Sequence, residues 1–158
     1  MIDWNSESFH TVVNLPEDYK ILDLTKGPWI SGDSGFSIGK YDEFRPNVYN
    51  TDLFESVRNI HVGIDIGGPV GTPCMAFMEG KIFDFGYNPA AGDYGNVVIT
   101  EHIISSVKIW SLYGHLDSQS IINKNKGQFI EKGEVIGFFG DESENGGWEP
   151  HLHFQLSV

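Results

Sequence analysis

The segment GNVVITEHIISSVKIWSLYGHL, residues 95–116, holds two runs of strand character in close succession, Asn96–Thr100 and Ser106–Tyr113. Both are rich in β-branched and aromatic side chains, which fit a pleated, half-buried surface. Upstream, Thr72–Phe77 and Lys81–Phe85 have the same character, and Gly80-Lys81, Asn88-Pro89, Gly92-Asp93 and Gly95-Asn96 supply turn signals between the runs. Downstream, Phe129–Gly137 alternates around Lys132-Gly133 and is expected to form a hairpin, with Pro150–Leu156 as a final strand. The expected fold is mainly β, an antiparallel meander with few or no helices.

The rest of the chain is consistent with one such domain. Its 158 residues are 40% hydrophobic, enough for a single core, and 19 glycines fit many short strands joined by tight turns. Residues 1–58 are irregular, broken by Pro16, Pro28, Pro46 and the turn-rich Ser31–Gly35, and are expected to form an arm covering a domain at 59–158. Within the arm, Thr51–Val57 carries a short helical pattern of about two turns. The lone Cys74 lies in an apolar run and reads as a small buried core residue, so any metal must be held by His and carboxylate.

Lys and Arg number 10 against 22 Asp and Glu, a formal charge of -12. That balance argues against nucleic acid and anionic lipid as partners. The first residues lack a basic region followed by an apolar run, and no segment is long and apolar enough to span a bilayer. As written, the chain is expected to be cytoplasmic, or extracytoplasmic if a leader was removed.

Four of the six histidines stand in contexts a metal hydrolase needs. His61 and Asp65 are four apart, with Gly63 between them and Gly67-Gly68 after, which lets the backbone turn both side chains toward one point. Alone, such a pair is commonly a surface accident. His151 and His153 flank Leu152, and alternate residues of a strand share a face, so two imidazoles would be presented together while Leu152 faces the core. Two histidines and a carboxylate would match the usual three-ligand catalytic zinc site, which keeps one position for water. His115 follows the second predicted strand and would stand at its rim. His10 and His102 fit no such context, and His102 reads as a partly exposed structural residue. Tyr113, Asn96 and Trp148 are further candidates for substrate contact or oxyanion donation, against a plainer role in packing.

Taken together, His61-Val62-Gly63-Ile64-Asp65, Tyr113-Gly114-His115-Leu116 and His151-Leu152-His153-Phe154 resemble the zinc metallopeptidases of family M23, of the lysostaphin and LytM type. The likeness extends over Gly71–Ile82, Tyr94–Ile99 and Lys132–Gly137, and covers roughly 61–155. It implies antiparallel sheets forming a groove, of the LytM-like, duplicated hybrid motif type. It further implies one Zn²⁺ per chain held by His61, Asp65 and His153, with His115 and His151 as the catalytic pair. The implied activity is hydrolysis of a peptide bond in a peptide or peptidoglycan-derived substrate. Relatives that block their zinc with an upstream residue direct attention to Asn47, Asn50 and Asp52. The alternative is a zinc-bearing, non-hydrolytic scaffold or an accessory domain of a larger fused polypeptide. Degenerate scaffolds usually lack a ligand, whereas all five positions are filled here. A carrier-domain turn at Lys132-Gly133 lacks the residues that flank a modifiable lysine.

Overall fold

The computed structural model describes residues 2–28, 35–46, 48–49, 52–54 and 58–158. The described residues form β1 (Lys20–Ile21), β2 (Ser37–Gly39), β3 (Glu43–Phe44), β4 (Ile60–His61), β5 (Ile64–Gly67), β6 (Pro73–Met75), β7 (Gly80–Asn88), β8 (Gly95–Ile104), β9 (Val107–Leu116), β10 (Phe129–Ile130), β11 (Val135–Phe138) and β12 (His151–Ser157). Helical structure among them is confined to four single 3₁₀ turns, at Trp4–Ser6, Leu24–Lys26, Asp52–Phe54 and Ser118–Ile121. The helical pattern expected at Thr51–Val57 thus shortens to one turn where it is described, and its remaining residues lie outside the described set.

One large sheet runs β1-β2-β5-β12-β9-β8-β7-β10, antiparallel throughout except for the β1–β2 pair. Of the four runs expected to form the meander, the last three do so as β7, β8 and β9, whereas the first, β6, leaves it to pair with β11. The final strand β12 does not extend it in order but inserts between β9 and β5, with His153 opposite Gly114 on one side and Asp65 on the other. The expected hairpin at Phe129–Gly137 forms only its turn. β10 pairs with β7 and β11 pairs with β6 in a separate two-stranded sheet, so the chain uses Lys132-Gly133 to cross between sheets.

The core lies between the large sheet and the β6–β11 pair. Ile66, Val98, Tyr113 and Leu152 from the sheet meet Cys74, Ala76 and Ile136 from the pair. Arm residues close this core at one edge: Val13 is buried in it, and the Val12 carbonyl accepts the Met75 N–H at 2.8 Å. Burial pushes the Cys74 thiol far above its ordinary pKa, as expected of an inert core residue.

Leu152 is fully buried while His151 and His153 face away from the core, as expected for a strand. His102, by contrast, is 1% exposed rather than partly exposed. It lies on the core face of β8, where Nδ1–H donates to the Glu79 carbonyl at 2.8 Å and Nε2 meets the hydroxyls of Thr100 and Ser111 at 2.6 and 3.1 Å. Those partners make its burial affordable as a neutral ring.

Two measurements test this packing. Leu152→Ala is expected to lower the free energy of unfolding by about 2 to 5 kcal/mol, the usual range for a fully buried leucine, read from a denaturant titration. Burial lowers the His102 pKa below its ordinary 6.5, so the unfolded chain binds the extra proton. The stability tied to neutral His102 is therefore present above pH 6.5 and lost as pH falls below it. His102→Gln is expected to flatten the fall in stability between about pH 7 and pH 5.

Candidate metal centre

The β5–β12–β9 register brings Asp65, His115, His151 and His153 together on the side of the sheet away from the core, and β4, paired with β3 in a two-stranded sheet of its own, adds His61. His61 Nε2, Asp65 Oδ1 and His153 Nδ1 form a triangle with sides of 3.1, 3.1 and 3.0 Å. The proton positions decide what the triangle is. His61 Nδ1 lies 2.7 Å from the Lys40 carbonyl, which can only accept, so Nδ1 carries the hydrogen and Nε2 of the neutral ring a lone pair. His153 Nε2 lies 3.4 Å from Gln155 Oε1 and donates to it, which turns the lone pair of Nδ1 inward. Asp65 Oδ1, the second oxygen of a carboxylate whose Oδ2 is paired with Arg45, can only accept.

Three lone-pair atoms thus face one another at about 3 Å, an arrangement that repels unless a cation sits among them. Two ligands bonded to one ion at about 2.1 Å are themselves spaced roughly 3.0 to 3.4 Å, so the spacing fits a first-row divalent metal. The residues present therefore suit a metal of the kind that His and carboxylate bind. His61, Asp65 and His153 also form a group of possible ligands by the mutual distances of their donor atoms.

Gly63 makes the triangle possible by size rather than by the backbone freedom expected of it. A Cβ there would stand 2.5 Å from His153 Cε1, 2.6 Å from Nε2 and 2.9 Å from the Phe154 carbonyl. Only hydrogen leaves room for the imidazole.

His115 and His151 lie beside the triangle, their ring centroids 4.3 Å apart. His115 belongs to β9 itself rather than to a loop beyond it. At a register shift between β8 and β9 it adopts φ 64, a conformation rare outside glycine. Its backbone is held there at both ends: its N–H donates to Tyr94 O at 2.8 Å and its carbonyl accepts from Gly140 N–H at 3.0 Å. The bulge turns the imidazole toward the metal triangle, with Nδ1–H donating to Asn145 O at 2.7 Å. His151 Nδ1–H likewise donates to Glu149 O at 2.6 Å, and its Nε2 lies 3.7 Å from Asp65 Oδ1. In both rings Nδ1 is committed to backbone, and Nε2 is left with a lone pair. Burial first, then the neighbouring histidines, keeps His115 well below its ordinary pKa, and burial lowers that of His151 despite Asp65.

These groups open into a cavity of about 400 Å³. Tyr94 and Trp148 line it, Tyr94 with its ring 5.1 Å from His153 and 5.7 Å from His115. Of the aromatic candidates, Trp148 is therefore at the site, whereas Tyr113 is fully buried in the core with its hydroxyl accepting from Phe77 N–H. Asn96 is also buried, its amide donating to Leu116 O and Glu144 O, so it braces the His115 bulge and offers no donor to a ligand. Tyr94, Tyr49 and Arg45 were not among the residues singled out from sequence. The arm residues among them carry no spacing signal, and only the fold brings them to the cavity. Asn47, Asn50 and the side chain of Asp52 lie outside the described residues.

Residues 59–158 match the description of Peptidase family M23. The DD-carboxypeptidase/endopeptidase Mpg of Neisseria meningitidis serogroup B is 35% identical over 99 residues, 63% of this chain and 20% of that protein. The catalytic domain of lysostaphin from Staphylococcus simulans superposes with a TM-score of 0.58 at 28% identity, covering 78% of this chain and 80% of that one. A zinc-containing peptidase from Vibrio cholerae superposes with a TM-score of 0.52 at 31% identity, over 73% of this chain and 32% of that one. The chain spans about a fifth of the length of the curated relatives it matches.

Gly63→Ala tests the crowding around His153. It is expected to displace the imidazole and weaken metal binding by at least the roughly 10- to 100-fold seen when a ligand's support is disturbed, measured by competition with a chelator. Unchanged affinity would show that the ring has room to move.

Proposed function

The chain belongs to peptidase family M23, and on that premise we propose that it is a zinc metalloendopeptidase that hydrolyses peptide bonds in peptidoglycan peptides. The observation that carries this reading is the convergence of three inward lone pairs, from His61, Asp65 and His153, with two further imidazoles on the cavity side. His61, Asp65 and His153 hold one zinc ion. When bound, zinc supplies a Lewis acid and lowers the pKa of a water molecule toward about 7.

The chain's own groups handle the protons. The Nε2 lone pairs of His115 and His151 face the cavity, so the pair can take a proton from the attacking water as its oxygen adds to the scissile carbonyl carbon. Once protonated, either ring donates: to the developing oxyanion, and then to the leaving nitrogen as the C–N bond breaks. Their Nδ1–H bonds to Asn145 O and Glu149 O fix ring orientation throughout. Tyr94 and Trp148 wall the site and restrict water beside it. The substrate class follows the relatives: Mpg is named a DD-carboxypeptidase/endopeptidase, and ShyA of Vibrio cholerae, 34% identical over 98 residues, a peptidoglycan DD-endopeptidase. A charge of -12 suits uncharged or amine-bearing peptides better than anionic wall polymers.

Digestion of muropeptides and of plain oligoglycine and oligoalanine, with products weighed by mass spectrometry, tests the activity and the bond together. His115→Ala or His151→Ala is expected to keep zinc near stoichiometric while lowering hydrolysis by roughly 10²- to 10⁴-fold. His61→Ala or Asp65→Ala is expected to lose the metal as well. Release of zinc by His115→Ala with retention by Asp65→Ala would reverse these assignments. A zinc-loaded parent inert on every peptide would favour the non-hydrolytic scaffold.

A further inference from the structure

The metal triangle is built from the family-matched segment, yet part of its support comes from the arm that precedes it. Asp65 divides its two oxygens between different tasks. Oδ1 meets His61 and His153, whereas Oδ2 accepts from Arg45 Nη1 at 2.6 Å. The Arg45 side chain is 3% exposed, and its Nε donates to Glu43 Oε2 at 3.0 Å. Glu43 is buried in turn, its Oε1 accepting from Leu24 N–H at 3.2 Å. Gly39 of β2 gives the guanidinium its room, since a Cβ there would stand 2.7 Å from Arg45 Nη2. β2 pairs with β5 so that Gly39 lies opposite Asp65, which places the arm directly against the ligand.

A salt bridge this buried is a poor device for stability, because removing two charges from water costs about as much as their attraction returns. It is a good device for orientation. A carboxylate with both oxygens free can bind a metal through either or both, and a guanidinium on one oxygen removes that choice. We propose that Arg45, itself held by Glu43, is a positioning residue for the metal centre: by occupying Asp65 Oδ2 it restricts the carboxylate to Oδ1 and makes the arm part of the metal site. The proposal rests on the metallopeptidase reading above. It assigns to residues outside the family-matched segment a part in metal binding.

The test uses the full chain and has two readouts besides activity. Zinc affinity is measured by competition with a chromophoric chelator, and the visible absorption of the cobalt-substituted protein reports coordination number. Arg45→Ala is expected to weaken zinc by about 10- to 100-fold and to reduce the intensity of the cobalt bands, as Asp65 gains freedom to bind through both oxygens. Arg45→Lys is expected to recover part of the affinity, since it restores a charge but not the fork. Should Arg45→Ala not fold, the double variant Arg45→Gln with Glu43→Gln removes the guanidinium without stranding the Glu43 carboxylate, and the same two changes are expected. Zinc affinity within about twofold of the parent in a folded variant overturns the proposal, on the scale by which such supports usually act. So does a loss of affinity with the parent's cobalt spectrum, which would assign Arg45 to stability alone. A parent that binds no zinc would instead overturn the metallopeptidase reading, a result distinct from either.

Discussion

The register of β12 between β5 and β9 is the constraint on which the site depends. With His153 opposite Asp65 and Gly114, one strand contributes His151 and His153 to the cavity face and Leu152 to the core. A slip by one residue would bury both imidazoles and expose Leu152. Burial of Leu152, Tyr113, Val98 and Ile66 on one side of the sheet therefore sets the proposed metal ligands on the other. The core and the site are two faces of one alignment.

Around the triangle, the far side of each imidazole and of the carboxylate is already committed. Lys40 O, Gln155 Oε1 and Arg45 take the far sides of His61, His153 and Asp65, while Asn145 O and Glu149 O take those of His115 and His151. Each bond settles a tautomer or an orientation, so the inward atoms are lone pairs and not a mixture of donors and acceptors. Such preorganisation costs the fold something. His115 bears a left-handed backbone, and its bulge is braced by Asn96, Tyr94 O and Gly140 N–H.

The arm changes the picture of a catalytic unit beginning near residue 59. β2 extends the large sheet next to β5, and Arg45 and the Lys40 carbonyl each contact a member of the triangle. Leu22, Leu24 and Tyr49 line the cavity together with Trp148, whose ring meets that of Tyr49 edge-on at 6.4 Å. The proposed metal centre is thus shared between the family-matched segment and residues before it.

The mainly β class and the meander from β7 to β9 were legible in the sequence through short-range regularities, namely β-branched runs and glycine punctuation, and the period of two puts His151 and His153 on one face. The grouping of those two with His61, Asp65 and His115 came from the resemblance to family M23. What lay beyond those regularities needed the tertiary structure. Sequence read Phe129–Gly137 as a hairpin, although its halves pair with strands far away in the chain, and it placed His115 past a strand that in fact contains it. It could not distinguish buried Tyr113 from cavity-lining Tyr94, since both are aromatic residues near strand ends. Arg45 has no local signal at all, lying 20 residues before Asp65 with nothing periodic between them. Local pattern determined which residues could bind a metal; long-range strand pairing decided which of them meet, and what stands behind them.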